Sequence, residues 1–306
     1  MATKTKRNIE SQRIQELGRL QEQLARRIQG QPEVGRRLTE ALIRRELETV
    51  PQRGPRDAFF FAGPTGVGKS ETVQVVAEIL FGPGHLQIFD CSEFKTLEIV
   101  SALLGSPSGD PGRFRSAYER VPRGAWLFDE VEKSHPDFVH YFLQMADFGR
   151  LTQANGDTLD LSGIYLFMTS NLGSAEILGR EHLPFSSLER HVIRAVERHL
   201  RPELLGRFDR PYVFRPLGRE TQRAIATQYL DELVTWELRQ HGRRIVCDAG
   251  VLECLVQRGF SPRLGARPLL RVLRELVGNA IAQNLLAGGN GSGQLLVSGD
   301  RLRLIP

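Results

Sequence analysis

The stretch GPTGVGKS, Gly63 to Ser70, stands between an apolar run, Ala58 to Ala62, and a helical pattern, ETVQVVAEIL. A strand, a glycine-rich turn ending in Lys-Ser and a helix, in that order, make a phosphate-binding loop. The glycines let successive backbone N–H groups face one anion, and the following helix N-terminus adds partial positive charge. Gly63, Pro64, Thr65, Gly66, Val67 and Gly68 are therefore candidate nucleotide-binding positions. Lys69 is placed to reach the β- and γ-phosphates, and Ser70 to ligate Mg²⁺.

Such a loop needs a sheet behind it. Four more apolar runs alternate with helical patterns: Leu86 to Asp90, Ala125 to Glu130, Ile164 to Asn171, and Pro211 to Phe214. Five short, almost uninterrupted apolar strands separated by helices predict an α/β fold with a five-stranded parallel sheet covered on both faces. Ahead of it, Ile14, Leu17, Leu20, Leu24 and Ile28 recur at helical spacing among Gln, Glu and Arg, predicting an amphipathic helix from about Ile9 to Gly30. A second helix runs from Pro32 towards Val50, where PQRGP breaks it. After Pro216 the chain turns helical, over about 219–240, 249–258 and 266–287, before the loop GGNGSG and the strand-like LLVSGDRLRLI. The expected organisation is a basic N-terminal helix over 1–30, a large nucleotide-binding domain over 31–216 and a small, mainly helical lid domain over 217–306.

Composition excludes several classes. With 41% hydrophobic and 25% charged residues, the 306-residue chain can bury a core. No apolar run is long enough to span a bilayer, and no apolar segment follows the basic N-terminus as in a secretory signal, so a cytoplasmic protein is expected. Cys91, Cys247 and Cys254 have no CxxC or His partner at metal spacing and read as reduced, packed thiols. The 41 cationic residues face 36 anionic ones spread along the chain, which makes nucleic acid a less favoured partner than protein.

AWLFDE supplies the second half of the chemistry. Asp129, at the end of an apolar strand, is placed to hold Mg²⁺ through its water shell, and Glu130 to orient and deprotonate an attacking water. Asn171 ends the next strand, where a neutral amide could hold that water without adding charge. Together with the phosphate loop these residues predict a nucleotide hydrolase.

At this point the chain resembles a known family, the AAA+ ATPases, and within it the second ATPase module of Clp-type ring chaperones, ClpB-like disaggregase branch. GPTGVGKS, CSEF (91–94), LFDEVEKSHPD (127–137), GRLT (149–152), MTSNLGS (168–174), RPELLGRFD (201–209) and GARPL (265–269) carry the likeness. It implies ATP as the nucleotide, a homo-oligomeric and commonly hexameric ring, and a protein substrate. It also implies that Asn171 is a first sensor, Arg207 an arginine finger reaching the adjacent subunit, and Arg267 a second sensor on the small domain. Guanidinium groups keep their charge at any working pH and suit transferring phosphate oxygens.

One departure bears on function. Where threading members carry a Gly-aromatic-Val-Gly loop that grips polypeptide, this chain has LLGSPSGDPGRF, Leu103 to Phe114, with Asp110 and Pro111 where the aromatic and Val are expected. Phe114 is the one aromatic in the stretch able to replace it, if the loop is re-aimed. No first ATPase module, coiled-coil insertion or peptidase-docking loop is recognisable, so a peptidase partner is not expected. Two further readings follow: a nucleotide-gated assembly or adaptor ATPase without threading, favoured by that loop, and a DNA-associated ATPase, suggested by the basic N-terminus.

Overall fold

The computed structural model describes residues 14–15, 17–47, 54–107, 109–180, 183–208 and 210–306. The basic stretch 1–13, where the expected N-terminal helix begins, the first three residues of PQRGP and Ser108 lie outside the described residues. The chain divides into two compact units: the described residues up to Gly63 with Gly68–Arg215, and Pro64–Val67 with Pro216–Pro306.

In the first unit, α1 (Leu20–Arg27) and α2 (Pro32–Glu46) lead to β1 (Asp57–Ala62) and α3 (Lys69–Phe81). Then come β2 (Leu86–Asp90), α4 (Leu97–Ala102), α5 (Gly112–Arg120), β3 (Gly124–Asp129), α6 (Phe138–Phe148), and the short strands β4 (Arg150–Thr152) and β5 (Thr158–Asp160). The unit closes with β6 (Ile164–Ser170), α7 (Ser174–Ile177), α8 (Phe185–His199), α9 (Pro202–Leu205) and β7 (Tyr212–Val213). All five apolar runs become strands of one parallel sheet in the order β2-β3-β6-β1-β7.

The central strands are apolar on both faces because both faces are covered: β6 is buried at every residue, and β3 at all but Asp129. Ala62 on β1 pairs with Ser170 on β6, Phe128 on β3 with Met168, and Asp129 with Asp90 on β2. The carboxyl ends of β1, β3 and β6 therefore finish level. Gly63, Asp129–Glu130 and Asn171 emerge side by side at that edge, where open parallel sheets bind ligands.

Below the edge lies an aromatic core. The Phe89 and Phe128 rings stack at 5.0 Å, Phe142 meets Phe128 edge-on at 5.6 Å, and Phe114 stacks parallel to Trp126 at 6.0 Å. Phe114 is fully buried, so it does not stand in for a gripping aromatic. Turning it out to solvent would forfeit about 2–3 kcal/mol of burial. The loop ahead of it is pinned. Phe114 N–H donates to Leu103 O at 3.1 Å, Gly112 N–H to Asp110 Oδ1 at 2.9 Å, and Gln153 Nε2 to Pro111 O at 3.1 Å. Gly112 has φ +72°, and a Cβ there would lie 2.3 Å from Gly105 N, so only glycine closes this loop.

In the second unit, α10 (Arg219–His241), β8 (Ile245–Cys247), α11 (Ala249–Gly259), α12 (Arg267–Leu286), β9 (Gly293–Ser298) and β10 (Arg301–Ile305) follow in order. The strand-like runs of LLVSGDRLRLI fall in β9 and β10, which pair antiparallel, and β8 adds to β9 in parallel. Leu230, Val251, Leu255, Leu273, Val277, Leu295 and Leu302 close its core. Neither β8 nor the β4–β5 hairpin was expected. Strands of three residues carry too little alternation to stand out in a sequence.

Candidate active site

Gly63 directly follows β1 with φ +138°, and a Cβ there would lie 2.6 Å from Phe214 O. Gly66 and Gly68 also have positive φ, +72° and +100°. Only glycine takes all three without strain, and the winding they permit turns the loop into α3 with Gly68 as its N-cap. Within the second unit, to which 64–67 belong, the Gly66 carbonyl accepts the Ala266 N–H at 2.9 Å.

Lys69 is 7% exposed, and a buried ammonium requires partners. Its Nζ donates to Gly63 O at 2.7 Å and to Asn171 Oδ1 at 3.0 Å. The other end of the Asn171 amide, Nδ2, donates to Glu130 Oε1 at 2.9 Å. One amide thus bridges ammonium and carboxylate, its oxygen towards the cation and its N–H₂ towards the anion.

Ser70 Oγ lies 3.2 Å from both oxygens of Asp129. A hydroxyl and a carboxylate so placed are hard oxygen ligands, of the kind Mg²⁺ selects. Among the described residues no group of three or more His, Cys, Asp or Glu side chains is arranged to hold a metal. Thr169, unforeseen in the sequence, joins the two acids: its hydroxyl donates to Asp129 Oδ1, and its oxygen accepts the Glu130 N–H at 3.1 Å. It lies on the strand beside β3, within MTSNLGS, and no role for it is read from the sequence.

Glu130 has φ +57° and ψ +48°, a conformation no other described non-glycine residue shares in sign of φ. Its carboxylate is about three-quarters screened from solvent, with Lys133 Nζ 2.5 Å from Oε2. The Lys133 ammonium, aided by the Asn171 N–H₂ and opposed by burial, holds its carboxyl below the usual glutamate range. Glu130 is consequently an anion at neutral pH, the state a general base requires. Strained backbone at such a residue is characteristic of functional sites.

The sheet brings Lys69, Ser70, Asp129, Glu130 and Asn171 together. Of the two arginines, Arg207, just after α9, pairs through Nε with Asp147 at 2.5 Å, and Arg267 opens α12 in the second unit.

Comparison with known proteins gives three concordant results. A family model described as AAA domain (Cdc48 subfamily) matches residues 55–210, and one described as the C-terminal, D2-small domain of ClpB protein matches 217–296. Chaperone protein ClpB of Vibrio vulnificus is 35% identical over 298 residues, covering 94% of this chain and 35% of that protein. Heat shock protein 100 of Trypanosoma brucei brucei is 37% identical, over 86% of this chain and 31% of its own length. Probable chaperone protein ClpB 1 of Chlorobaculum tepidum is 34% identical, over 92% of this chain and 67% of its own length. A structure titled as the closed state of Hsp104 with ATPγS and FITC casein superposes with a TM-score of 0.85 at 29% identity, over 96% of this chain and 52% of the other. A Saccharomyces cerevisiae Hsp104–ADP complex gives the same TM-score at 30% identity, over 95% and 52%. The chain thus spans about a third of the length of the first two chaperones.

Proposed function

The chain belongs to the AAA family of ATPases, in its ClpB-like branch, and from that premise we propose that it hydrolyses ATP with Mg²⁺ in a ring-shaped assembly and so remodels a protein partner. The observation that carries this reading is the chain of contacts Lys69–Asn171–Glu130 beside the Ser70–Asp129 pair, all at the carboxyl edge of one sheet. The nucleotides and the polypeptide named in the titles of the two Hsp104 structures support ATP as substrate and a polypeptide as partner.

In this reading the loop from Gly63 to Gly68 cradles the phosphates, and Lys69 exchanges its Gly63 carbonyl for a γ-phosphate oxygen. Ser70 and Asp129 hold Mg²⁺, which supplies charge to neutralise the transferring phosphoryl group. Glu130 takes the proton of a water positioned with the help of the Asn171 amide. Both carboxylate oxygens are already engaged, by Asn171 and Lys133, so the base acts through lone pairs those contacts leave open. Arg207 serves as a finger in a neighbouring subunit's site and Arg267 as the second sensor. We assign residues 31–216 to the large domain and 217–306 to the lid, with a cytoplasmic location and six subunits as the ring's number. Among the described residues no helix is long and apolar enough to cross a membrane.

A second reading, a nucleotide-gated assembly or adaptor ATPase without threading, is favoured by one observation. Leu103–Ser106 and Asp110–Phe114 are held by hydrogen bonds, and Phe114 lies in the core. A DNA-associated ATPase has the basic N-terminal stretch and the chain's net charge of +5 behind it. Steady-state hydrolysis with an unfolded polypeptide or with duplex DNA added separates the three. The remodelling reading predicts stimulation by polypeptide and none by DNA. Indifference to both supports the assembly factor, and stimulation by DNA alone overturns both protein-directed readings.

A further inference from the structure

The turn after Glu130 does more than return the chain. Because Glu130 is left-handed, the 3₁₀ turn Val131–Lys133 folds back towards the end of β6 and brings two side chains with it. Lys133 meets Glu130. Glu132 meets the backbone of Asn171, whose N–H donates to Glu132 Oε1 at 3.0 Å. β6 ends at Ser170, so this N–H is the first beyond the strand, and it is held by a side chain from the neighbouring strand's turn. The Asn171 carbonyl is held as well, by the Ser174 hydroxyl and by the Ser174 N–H at 3.2 Å. With both backbone groups fixed, the Asn171 side chain starts from a set position and can span Lys69 and Glu130.

Glu132 keeps this contact at a cost. Its second oxygen, Oε2, is buried and has no hydrogen-bond partner among the described residues. A carboxylate with one oxygen unpaired and desolvated is a poor choice for stability alone, and an unsatisfied buried group of this kind calls for another reason.

We propose that Glu132 is a positioning residue for hydrolysis. By accepting the Asn171 N–H it sets where the Asn171 amide stands relative to Glu130 and the attacking water, and it rests on the hydrolysis reading above. It touches no reacting group itself. Its effect therefore passes through Asn171 and appears in turnover rather than in nucleotide affinity.

The test is kcat and KM for ATP in Glu132→Ala, Glu132→Gln, Asn171→Ala and the double variant Glu132→Ala/Asn171→Ala. Glu132→Ala is expected to lower kcat about tenfold with KM within about twofold, since small misplacements of a catalytic group cost that much or more. Glu132→Gln, whose amide oxygen still accepts the N–H, is expected to retain most of the wild-type kcat. The double variant is expected to match Asn171→Ala alone, because residues acting through one contact do not add. Glu132→Asp, which keeps the charge but withdraws the oxygen by one methylene, carries the same expected loss and serves if the alanine variant does not fold. Additive losses in the double variant, a wild-type kcat for Glu132→Ala and Glu132→Asp, or equal damage from Gln and Ala would overturn the proposal while leaving the hydrolysis reading intact. An Asn171→Ala protein with wild-type turnover overturns the proposal together with the role given to Asn171, while a wild-type protein with no turnover overturns the hydrolysis reading itself.

Discussion

Glu130→Gln is expected to lower kcat by about 10²–10⁴-fold while ATP still binds with nearly unchanged affinity. Glutamine keeps the size of the side chain and an oxygen to accept the Asn171 N–H₂ now given to Oε1 at 2.9 Å. It cannot take a proton, and its own N–H₂ would face the Lys133 ammonium that now sits 2.5 Å from Oε2. Phosphate contacts from the loop at Gly63–Ser70 do not depend on this carboxylate, so binding survives. Turnover and equilibrium binding of a fluorescent ATP analogue, measured on the same preparation, check both halves. Undiminished turnover would remove Glu130 from the role of base. Lost binding with lost turnover would instead make it a structural part of the pocket.

Arg207→Ala is expected to cost about 10³–10⁵ in kcat, the range for removal of an arginine finger. In the single chain the guanidinium lies against Asp147, away from the cluster around Lys69. A finger that serves the next subunit's phosphates has this appearance from within one chain. The distinctive expectation lies in mixing. Arg207→Ala subunits retain an intact Lys69, and Lys69→Ala subunits retain an intact Arg207, so mixed assemblies regain part of the turnover both lack alone. Absence of recovery at every ratio, with co-assembly shown by size, contradicts the trans role. The Asp147 pair would then be a surface ion pair, contributing at most about 1 kcal/mol to stability.

The parts of this molecule that a sequence reveals are those under a repeated constraint. The five apolar runs are legible because a parallel sheet covered on both faces requires uninterrupted apolar residues, and β6 is buried along its whole length. GPTGVGKS is legible because glycine at 63, 66 and 68 answers one backbone requirement, positive φ at each. Asp129, Glu130 and Asn171 are legible because strand ends in such a sheet fall on one edge. Thr169, Glu132 and Lys133 were not. Each acts through a single contact that depends on how β3, its turn and β6 finish relative to one another. No period or spacing announces such a contact. Phe114 shows the converse. Its place in an altered loop made it a candidate for substrate contact, whereas its burial against Trp126 and Phe89 shows the loop's end serving the core.

This site is expected to hydrolyse ATP only when a neighbouring copy completes it. The most direct measurement is steady-state Mg²⁺-ATP turnover per subunit across a wide protein concentration series, with assembly size followed in parallel. Turnover per subunit is expected to be low when the protein is dilute and to rise to a plateau as larger assemblies form. A rate per subunit that stays at its plateau value down to concentrations where only single chains remain would contradict it, because the site would then be complete within one chain.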